Sequence, residues 1–503
     1  MDELKLSAEE QAMLDGAEGP GVQRAMEIVV ALARIYGAAD LVPVTHVQVA
    51  GVSYKNLGDA GVEFLNRWAD EGARVRVPTT LNPMGMERGK WQQWGISPDF
   101  ATPQLSVIDA FVKMGVTPTL SCTPYLFPQY TPRRGDALAW AESSAVAYAN
   151  SVIGARSNRE GGPSAIAAAI VGRTARYGCH LDENRRANWI VEVRCPVRSV
   201  ADFGALSYVV GKAVGNGVPW FADLAGPHPQ PFPRSDGGRE WPPSPTLPPF
   251  RRGKGVAPIP DPSPVPTGEG STPIPDPSPV PKGEGSAPPL PQRGRGWGWG
   301  WEHPSPAAAG EGLGVGVLKT LGAGLAAYGA VALYHIAGLT PEARDLGESL
   351  IRPDARRLVV ESLDDAYRVM DADPDLRKID LVTIGCPHAS LDEIQEVAEH
   401  LRGKTLATRL WVTTGEITSQ AAVELGYVQT IEAAGGEVVA DTCAVVAPMR
   451  MLNVRTMATN AGKMACYAPM HSGVQMRFGD VAQCLDAAVT GEWRRARERR
   501  PLR

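Results

Sequence analysis

A long proline-rich block interrupts the chain and limits what it can fold into. Residues 227–306 contain 24 of the 44 prolines in the 503-residue sequence, together with many glycines and serines. The segment PIPDPSPVP occurs there twice in tandem. A stretch of this composition cannot bury enough apolar surface to form a packed core. We therefore expect a disordered insertion over residues 226–314, with the folded protein built from residues 1–225 and 315–503.

Two interpretations of this block stay open. Its PxxP segments match the ligands of SH3- and WW-like domains, which would make the block a protein-binding segment. Alternatively, it is a neutral insertion in a surface loop that tolerates extra length. We favour the neutral insertion, because tandem duplication of a short segment requires no selection for binding.

On both sides of the block, short apolar runs alternate with amphipathic helical stretches. In the first half, THVQVA is followed by GVEFLNRWADEG and then by ARVRVP. In the second half, DLVTIG, TRLWVTT and GEVVAD alternate with helix-like segments. Short strands separated by helices of this length are typical of parallel sheets. The sequence therefore predicts an α/β protein with mainly parallel sheets flanked by helices.

Three segments give more local predictions. Residues 7–40 are expected to be helical, and Ser7 with Glu10 three positions later forms a capping-box pattern. The run VTPTLS, residues 116–121, is expected to be a strand. Residues 320–338 carry no charged side chain, but they lack the basic flank of a membrane anchor. We interpret them as a buried helix followed by a strand.

Charge and cysteine usage exclude several classes of function. The net charge of −5 gives no electrostatic reason to expect binding to nucleic acid or to an anionic membrane. The N-terminus is acidic and polar, which excludes a signal peptide. Seven cysteines without paired spacing do not resemble a disulfide framework. We therefore expect a reducing, cytoplasmic location, where clustered cysteines more often bind metals or act in catalysis.

Three cysteines, Cys122, Cys386 and Cys443, stand where an apolar extended run gives way to a loop. In α/β proteins, ligands and catalytic groups gather at the carboxyl ends of strands, so these thiols could converge on one centre. Three thiolates can hold an iron–sulfur cluster and leave one iron open to a substrate as a Lewis acid. Composition alone equally allows all three to be core cysteines.

Polar loops containing glycine follow other predicted strands or precede helices. They are GVSYKN at residues 51–56, TTLNP at 79–83 and NREGGPS at 158–164. Backbone N–H groups freed by glycine, next to hydroxyl groups and a helix start, suit an anion. Arg159 and Lys55 could supply positive charge. Each loop alone is weak evidence, since such loops are mainly ordinary turns.

Longer segments resemble the large subunit of aconitase X. They are GVSYKNLGD, TTLNPMGM, SCTPY, AWAESSAVAYANSVIGARSNREGGPSA, GCPHAS and ADTCAVVAP. The resemblance covers about residues 5–225 and 315–490, with the proline-rich block as an interruption. It implies an aconitase-like, multi-domain α/β fold.

The resemblance also implies an iron–sulfur hydro-lyase whose cluster is held by Cys122, Cys386 and Cys443. A 4Fe–4S cluster is expected, although 2Fe–2S and 3Fe–4S forms are compatible with three thiolates. His388, two residues after Cys386, either hydrogen-bonds near the cluster or is a turn histidine satisfied by backbone groups.

GVSYKN and NREGG resemble the archaeal-type branch of this family. That branch dehydrates (R)-5-phosphomevalonate to trans-anhydromevalonate 5-phosphate in a modified mevalonate pathway, and the alternative is dehydration of cis-3-hydroxy-L-proline or another small hydroxy acid. By the same resemblance, substrate contacts fall on Gly51, Val52, Ser53, Asn82, Pro83, Glu142 or Ser143, and Lys463. Among these residues, Ser53, Glu142 and Lys463 are expected to take part in catalysis, and we add Arg159 as a substrate-binding cation.

Aconitase-type chemistry, by resemblance, takes its catalytic serine from a swivelling domain, and this chain has no segment that matches one. We therefore expect a separate small subunit to supply that serine. A hypothesis of another class is an iron–sulfur sensor or scaffold that binds partners without turnover. The complete set of substrate-loop residues argues against this hypothesis.

Overall fold

The described chain is built from parallel strands with helices packed against them. The computed structural model describes residues 4–224 and 314–494, apart from positions 372 and 374. These residues belong to one unit formed from both halves of the chain, and a second unit contains no described residue. The predicted disordered insertion over 226–314 lies outside the described residues, except for its last position.

The described strands form four sheets. They are β1 (Leu41–Pro43), β2 (His46–Val49), β3 (Thr79–Leu81), β4 (Leu138–Trp140), β5 (Arg173–Ala175), β6 (Ala187–Val193), β7 (Pro219–Phe221), β8 (His335–Ile336), β9 (Ile351–Val360), β10 (Leu381–Ile384), β11 (Arg409–Thr414), β12 (Glu437–Ala440), β13 (Thr456–Thr459) and β14 (Gln475–Phe478).

Three of these sheets are parallel throughout. Their strand orders are β3-β2-β4, β12-β11-β10-β13-β14 and β8-β7-β6-β9. Only the small β1-β5 sheet is antiparallel among the described residues. The predicted α/β class with mainly parallel sheets is therefore confirmed.

The described α-helices mostly connect and cover these strands. They are α1 (Ala8–Leu14), α2 (Pro20–Ile35), α3 (Tyr54–Asp70), α4 (Pro98–Lys113), α5 (Ser143–Tyr148), α6 (Gly162–Val171), α7 (Val200–Val214), α8 (Val315–Gly329), α9 (Pro341–Leu346), α10 (Asp364–Met370), α11 (Leu391–Leu401), α12 (Glu416–Glu424), α13 (Tyr427–Ala433), α14 (Gly462–Ser472) and α15 (Val481–Thr490).

The N-terminal helical region is divided in two. Ser7 caps α1 through the predicted capping box with Glu10. The expectation that residues 7–40 are helical is confirmed for α1 and α2, but it is wrong for residues 15–19 between them and for residues 36–40. Gly19 has a φ of 92°, which lies outside the helical region, and Pro20 then opens α2. The helical conformation is therefore interrupted between α1 and α2.

The uncharged segment after the proline-rich block has the predicted form. It contains most of α8, which buries ten consecutive residues from Val317 to Ala326, and then the short strand β8. Within the ranges that the structure describes, no helix is both long and apolar enough to cross a membrane.

The run VTPTLS before Cys122 is not a regular strand, contrary to the sequence-based expectation. It pairs with β3 through one bridge between Thr117 and Thr80, and Ser121 N–H donates to the Leu81 carbonyl. Leu120 has a φ of 46°, a left-handed conformation that breaks the extended geometry. The segment still runs along the edge strand β3 and delivers Cys122 near its carboxyl end.

Small side chains bring α6 close to the three-stranded sheet. Residues 164–171 of this helix are all buried, and four of them are alanines. Helix α6 packs against both β2 and α2. Because alanine extends little beyond the helix backbone, the helix can lie directly on the sheet, and the loop at its start is held near the end of β2.

Candidate active site

The carboxyl ends of two parallel sheets border a common cavity of about 270 Å³. Loops after β2, β3 and β4 line it from the three-stranded sheet. Loops after β10 and β12, the helix α14 that follows β13 and the end of β11 line it from the five-stranded sheet. Since all strands in a parallel sheet end on the same side, distant parts of the chain reach one place.

All twelve residues predicted from the sequence as site residues line this cavity. They are Gly51, Val52, Ser53, Asn82, Pro83, Cys122, Glu142, Ser143, Arg159, Cys386, Cys443 and Lys463. The structure therefore brings the predicted thiols, residues 51–53 of the predicted anion-binding loop and three of the predicted charged residues, Glu142, Arg159 and Lys463, together.

The three cavity thiols, Cys122, Cys386 and Cys443, are partly buried and unpaired with one another. Burial raises the pKa of Cys122 to about 12 and raises the pKa of the other two thiols. The Lys463 ammonium opposes this rise at each of them. As free thiols they would stay protonated at neutral pH, whereas a bound metal would displace the protons.

Backbone N–H groups point at two of the sulfur atoms. His388 N–H donates to Cys122 Sγ at 3.2 Å, and N–H groups of Val445 and Val446 lower the pKa of Cys443 against the effect of burial. Such donors stabilise negative charge on sulfur. Two of the three sulfur atoms therefore have backbone donors that would stabilise a metal-bound thiolate, although burial keeps the free thiols protonated.

The three thiols line one cavity without forming a site for a single metal ion. Among the described residues, no three His, Cys, Asp or Glu side chains are grouped closely enough to hold a single metal ion. In an iron–sulfur cluster each thiolate binds a different iron atom, so the ligands stand farther apart than they do around one ion. Three thiols around one cavity could hold a cluster of this kind.

A buried ion pair lies beside the thiols. Lys463 Nζ contacts Glu142 Oε1, and Asn82 Nδ2 donates to Glu142 Oε2 at 2.7 Å. The N–H of Ser144 and the hydroxyl groups of Ser143 and Ser144 also donate to Glu142. Burial alone would raise the pKa of Glu142, but Lys463 and these donors outweigh it and hold the pKa at about 2. The carboxylate therefore stays ionised.

The charge on Lys463 is stabilised in return. Burial works against its ammonium form, yet the Glu142 carboxylate and the neighbouring thiols hold its pKa above the ordinary value. Lys463 Nζ also lies 3.3 Å from Ser144 Oγ. The cavity thus contains a fixed positive charge on the side of the sulfur atoms.

The loop after β2 has the features of an anion-binding site. Gly51 has a φ of 78°, so the backbone turns there before helix α3 begins at Tyr54. Ser53 stands at the helix N-cap but makes no capping bond, and its buried Oγ has no hydrogen-bond partner among the described residues. An unpartnered hydroxyl at a helix N-terminus is suited to donate a hydrogen bond to a ligand oxygen.

The two predicted cations differ in their surroundings. Arg159 is exposed, lines the cavity and has no carboxylate partner among the residues that the structure describes. Lys55 does not line the cavity, and its Nζ instead donates to the His471 carbonyl at 2.5 Å. The suggestion that Lys55 supplies charge to a ligand is therefore not supported by its position.

Sequence reasoning missed one side of the cavity. Tyr467 and His471 line it together with Lys463, and all three residues belong to α14. Their spacing of four places them on one face of the helix, which is a signal that the sequence does contain. Asn56, the last residue of the predicted GVSYKN loop, lines the cavity, and Thr413 lines it without having been predicted.

The fold and the cavity define an α/β protein that combines three convergent thiols with a loop suited to an anion. Comparison with models of known protein families identifies the family within this class of α/β proteins. The first, second and third domains of aconitase X match residues 3–183, 306–368 and 379–490, respectively. The chain belongs to the aconitase X family, as the sequence resemblance indicated.

Curated relatives span nearly the whole chain. The phosphomevalonate dehydratase large subunit of Methanothermobacter thermautotrophicus is 39% identical, over 94% of this chain and 96% of the relative. That of Methanosarcina mazei is 36% identical, over 98% and 99%. The cis-3-hydroxy-L-proline dehydratase of Pseudomonas aeruginosa is 31% identical, over 97% of this chain but 70% of the relative.

A solved structure shares the fold. The chain resembles the crystal structure of Thermococcus kodakaraensis aconitase X in its holo-form with a TM-score of 0.74 and 37% identity. The similarity covers 96% of this chain and all of the solved one.

Proposed function

We propose that this chain is the large subunit of an iron–sulfur hydro-lyase that dehydrates (R)-5-phosphomevalonate to trans-anhydromevalonate 5-phosphate. The observation that carries the proposal is the convergence of three thiols, a buried ion pair and an anion-binding loop on one cavity. The relatives with 36–39% identity are named as large subunits of phosphomevalonate dehydratases, which supports the same reaction.

The thiols of Cys122, Cys386 and Cys443 would hold a 4Fe–4S cluster that leaves one iron without a protein ligand. When bound, such a cluster supplies a Lewis acid for the hydroxyl group that the reaction removes. The reaction breaks that C–O bond, removes a proton from the neighbouring carbon and releases water. The residues of the cavity must therefore orient the hydroxyl group toward the thiols.

Lys463 is proposed to bind the substrate carboxylate. Its ammonium group is fixed by Glu142 and lies among the cavity residues beside the thiols. A positive charge at this point stabilises the negative charge that develops when a proton leaves the carbon next to a carboxylate. Glu142, already ionised and saturated with donors, positions Lys463 and Asn82.

The phosphate is proposed to bind at the other side of the cavity. Gly51, Val52 and Ser53 offer backbone N–H groups and a free hydroxyl at the N-terminus of α3. Arg159 adds a positive charge that no described carboxylate neutralises. A phosphorylated substrate uses this site, whereas hydroxyproline has no second anionic group besides its carboxylate.

A small subunit is proposed to complete the active site. The relatives named phosphomevalonate dehydratase are large subunits, and this chain covers almost their whole length. The hydroxyproline dehydratase is longer than the region that this chain matches. We infer that a separate swivelling subunit supplies the catalytic serine to this chain.

Product analysis tests the proposal. The chain and a small subunit are reconstituted anaerobically with iron and sulfide, then incubated separately with (R)-5-phosphomevalonate and cis-3-hydroxy-L-proline. We expect loss of water from phosphomevalonate alone, and only when both subunits are present. Turnover of hydroxyproline without turnover of phosphomevalonate would reverse the assignment in favour of the second enzyme.

A further inference from the structure

The loops that carry the cavity thiols meet at one buried side chain, His388, which is 2% exposed. His388 follows Cys386 by two positions and therefore belongs to the same loop. Its backbone N–H donates a hydrogen bond of 3.2 Å to Cys122 Sγ. The loop of one thiol is thereby joined directly to the sulfur atom of another.

The imidazole ring reaches the remaining loop. Its Nδ1 atom lies 3.2 Å from Ser121 Oγ, and its Nε2 atom lies 3.0 Å from the Thr442 carbonyl oxygen. A carbonyl oxygen can only accept, so Nε2 carries a proton and donates it. Ser121 immediately precedes Cys122, and Thr442 immediately precedes Cys443. One ring therefore spans two thiol loops while its backbone belongs to the third.

The backbone of His388 is itself held in place. Lys319 on α8 is 1% exposed and donates from Nζ to the carbonyl oxygens of His388 at 2.7 Å and Pro387 at 3.3 Å. Its charge is balanced by Glu393 at the start of α11. The histidine thus projects from a fixed loop, and movement of its ring would disturb all three thiol loops.

A histidine that only completes a turn would bond to groups of its own loop. Neither ring nitrogen of His388 does so, since both partners lie in the other two thiol loops. We infer that His388 is a positioning residue that sets the relative placement of Cys122, Cys386 and Cys443 for cluster binding. This inference rests on the proposed function, because it requires that the three thiols hold a cluster.

Two substitutions and a matched control test the inference in the full chain. H388A removes both ring hydrogen bonds, and H388Q keeps an amide that can reach toward the Thr442 carbonyl. The control is H335A, because His335 is also fully buried and its Nε2 atom bonds to a backbone carbonyl, that of Arg185, at 2.8 Å. His335 belongs to β8 and does not line the cavity.

Each variant is reconstituted anaerobically and compared with the parent chain in thermal unfolding, iron per chain, rate of iron loss to a chelator and electron paramagnetic resonance spectrum after one-electron reduction with dithionite. We expect H388A to lose iron about 10- to 100-fold faster than the parent, as substitutions behind metal ligands do, with an altered spectrum. H388Q should fall between H388A and the parent. H335A should lower the unfolding temperature but keep the parent iron content and spectrum.

Two results would overturn the positioning role while leaving the cluster itself in place. One is a parent-like iron content and spectrum in H388A. The other is iron loss in H335A equal to that in H388A, which would assign the effect to general destabilisation. A parent chain that takes up no iron would instead refute the proposed function, and the inference with it.

Discussion

A single carboxylate, Glu142, gathers hydrogen bonds from three sides of the cavity. Asn82 donates from the loop after β3, Lys463 from α14 and two serines from the start of α5. With a pKa held at about 2, the group is permanently charged at physiological pH. It is poorly suited to remove a proton from the substrate, and we propose instead that it holds Lys463 and Asn82 in place.

Replacement of Lys463 by methionine tests the contribution of this residue to catalysis and to stability. K463M removes the positive charge near the thiols, and we expect kcat/KM to fall about 10²- to 10³-fold, as when a charge-stabilising donor is lost. It also leaves Glu142 buried and unpaired, which costs about 3–5 kcal/mol of unfolding free energy. Steady-state kinetics and denaturant unfolding of the heterodimer measure the two effects.

The double variant K463M/E142Q is the control for that experiment. It removes both charges, so the unfolding free energy should recover toward that of the parent while activity stays low. Full activity in K463M would contradict the proposed binding role of Lys463, whatever its stability.

Arg159 gives a prediction about substrate recognition. R159Q should raise KM for the phosphorylated substrate about 10- to 100-fold, the equivalent of a lost charge-assisted hydrogen bond. Because Arg159 is exposed, thermal unfolding should be nearly unchanged. R352Q is a suitable control, since Arg352 is an exposed arginine on β9 that pairs with Asp354 away from the cavity. An unchanged KM in R159Q would remove Arg159 from the phosphate site.

At the scale of elements, strand ends explain why the site could be predicted at all. Apolar runs before Cys386 and Cys443 identify β10 and β12, and parallel sheets place their ends on one side. Cys122 lies at the same place although it does not follow a regular strand. The left-handed conformation of Leu120, two residues earlier, interrupts the predicted strand. A local backbone conformation of this kind depends on tertiary packing, so the sequence pattern did not reveal it.

The face of α14 was missed for a related reason. Lys463, Tyr467 and His471 share helical spacing, but the same spacing would suit a core-facing or a solvent-facing side. Which face of a helix borders a cavity depends on how two sheets are placed against each other, and no local pattern encodes this. The sequence therefore predicted the loop residues of the site better than its helical residues.

The turn after β10 depends on a glycine. Gly385 has a φ of 100°, and a Cβ atom at this position would lie 2.2 Å from the Thr413 carbonyl oxygen. G385A must therefore displace the loop that carries Cys386. We expect a loss of more than about 2 kcal/mol of unfolding free energy and a clear loss of bound iron. Denaturant unfolding and iron analysis after reconstitution measure both.

Gly403 provides the matched control for G385A. It also has a positive φ, 72°, but a Cβ atom there would have no described neighbour within 4 Å. G403A should cost only about 1 kcal/mol from backbone strain and leave the iron content unchanged. Equal iron loss in both variants would mean that strain anywhere in this region, rather than displacement of Cys386, empties the site.

At the scale of the whole molecule, the two halves of the chain are joined by a close helix pair. Helix α7 comes before the proline-rich block and α8 comes after it. A Cβ atom at Gly329 on α8 would lie 2.3 Å from the Gly211 carbonyl oxygen on α7. Composition predicted two folded halves, but glycines in two separate helices gave no sign that these helices would pack against each other.

This helix pair leads to a prediction about the block between the halves. The described residues that line the cavity all lie outside 226–313, and Gly314 already caps α8. Replacing residues 226–313 by a flexible Gly/Ser linker of about 20 residues, which reaches roughly 25 Å, should leave iron content and kcat/KM within about twofold of the parent. A Gly/Ser segment of the full original length separates the effect of length from that of sequence.

If both replacements fold and bind iron but turnover is lost, the block acts in catalysis. If turnover survives in both, the proline-rich sequence is dispensable for the reaction. A scaffold function based on that sequence would then have to be independent of turnover.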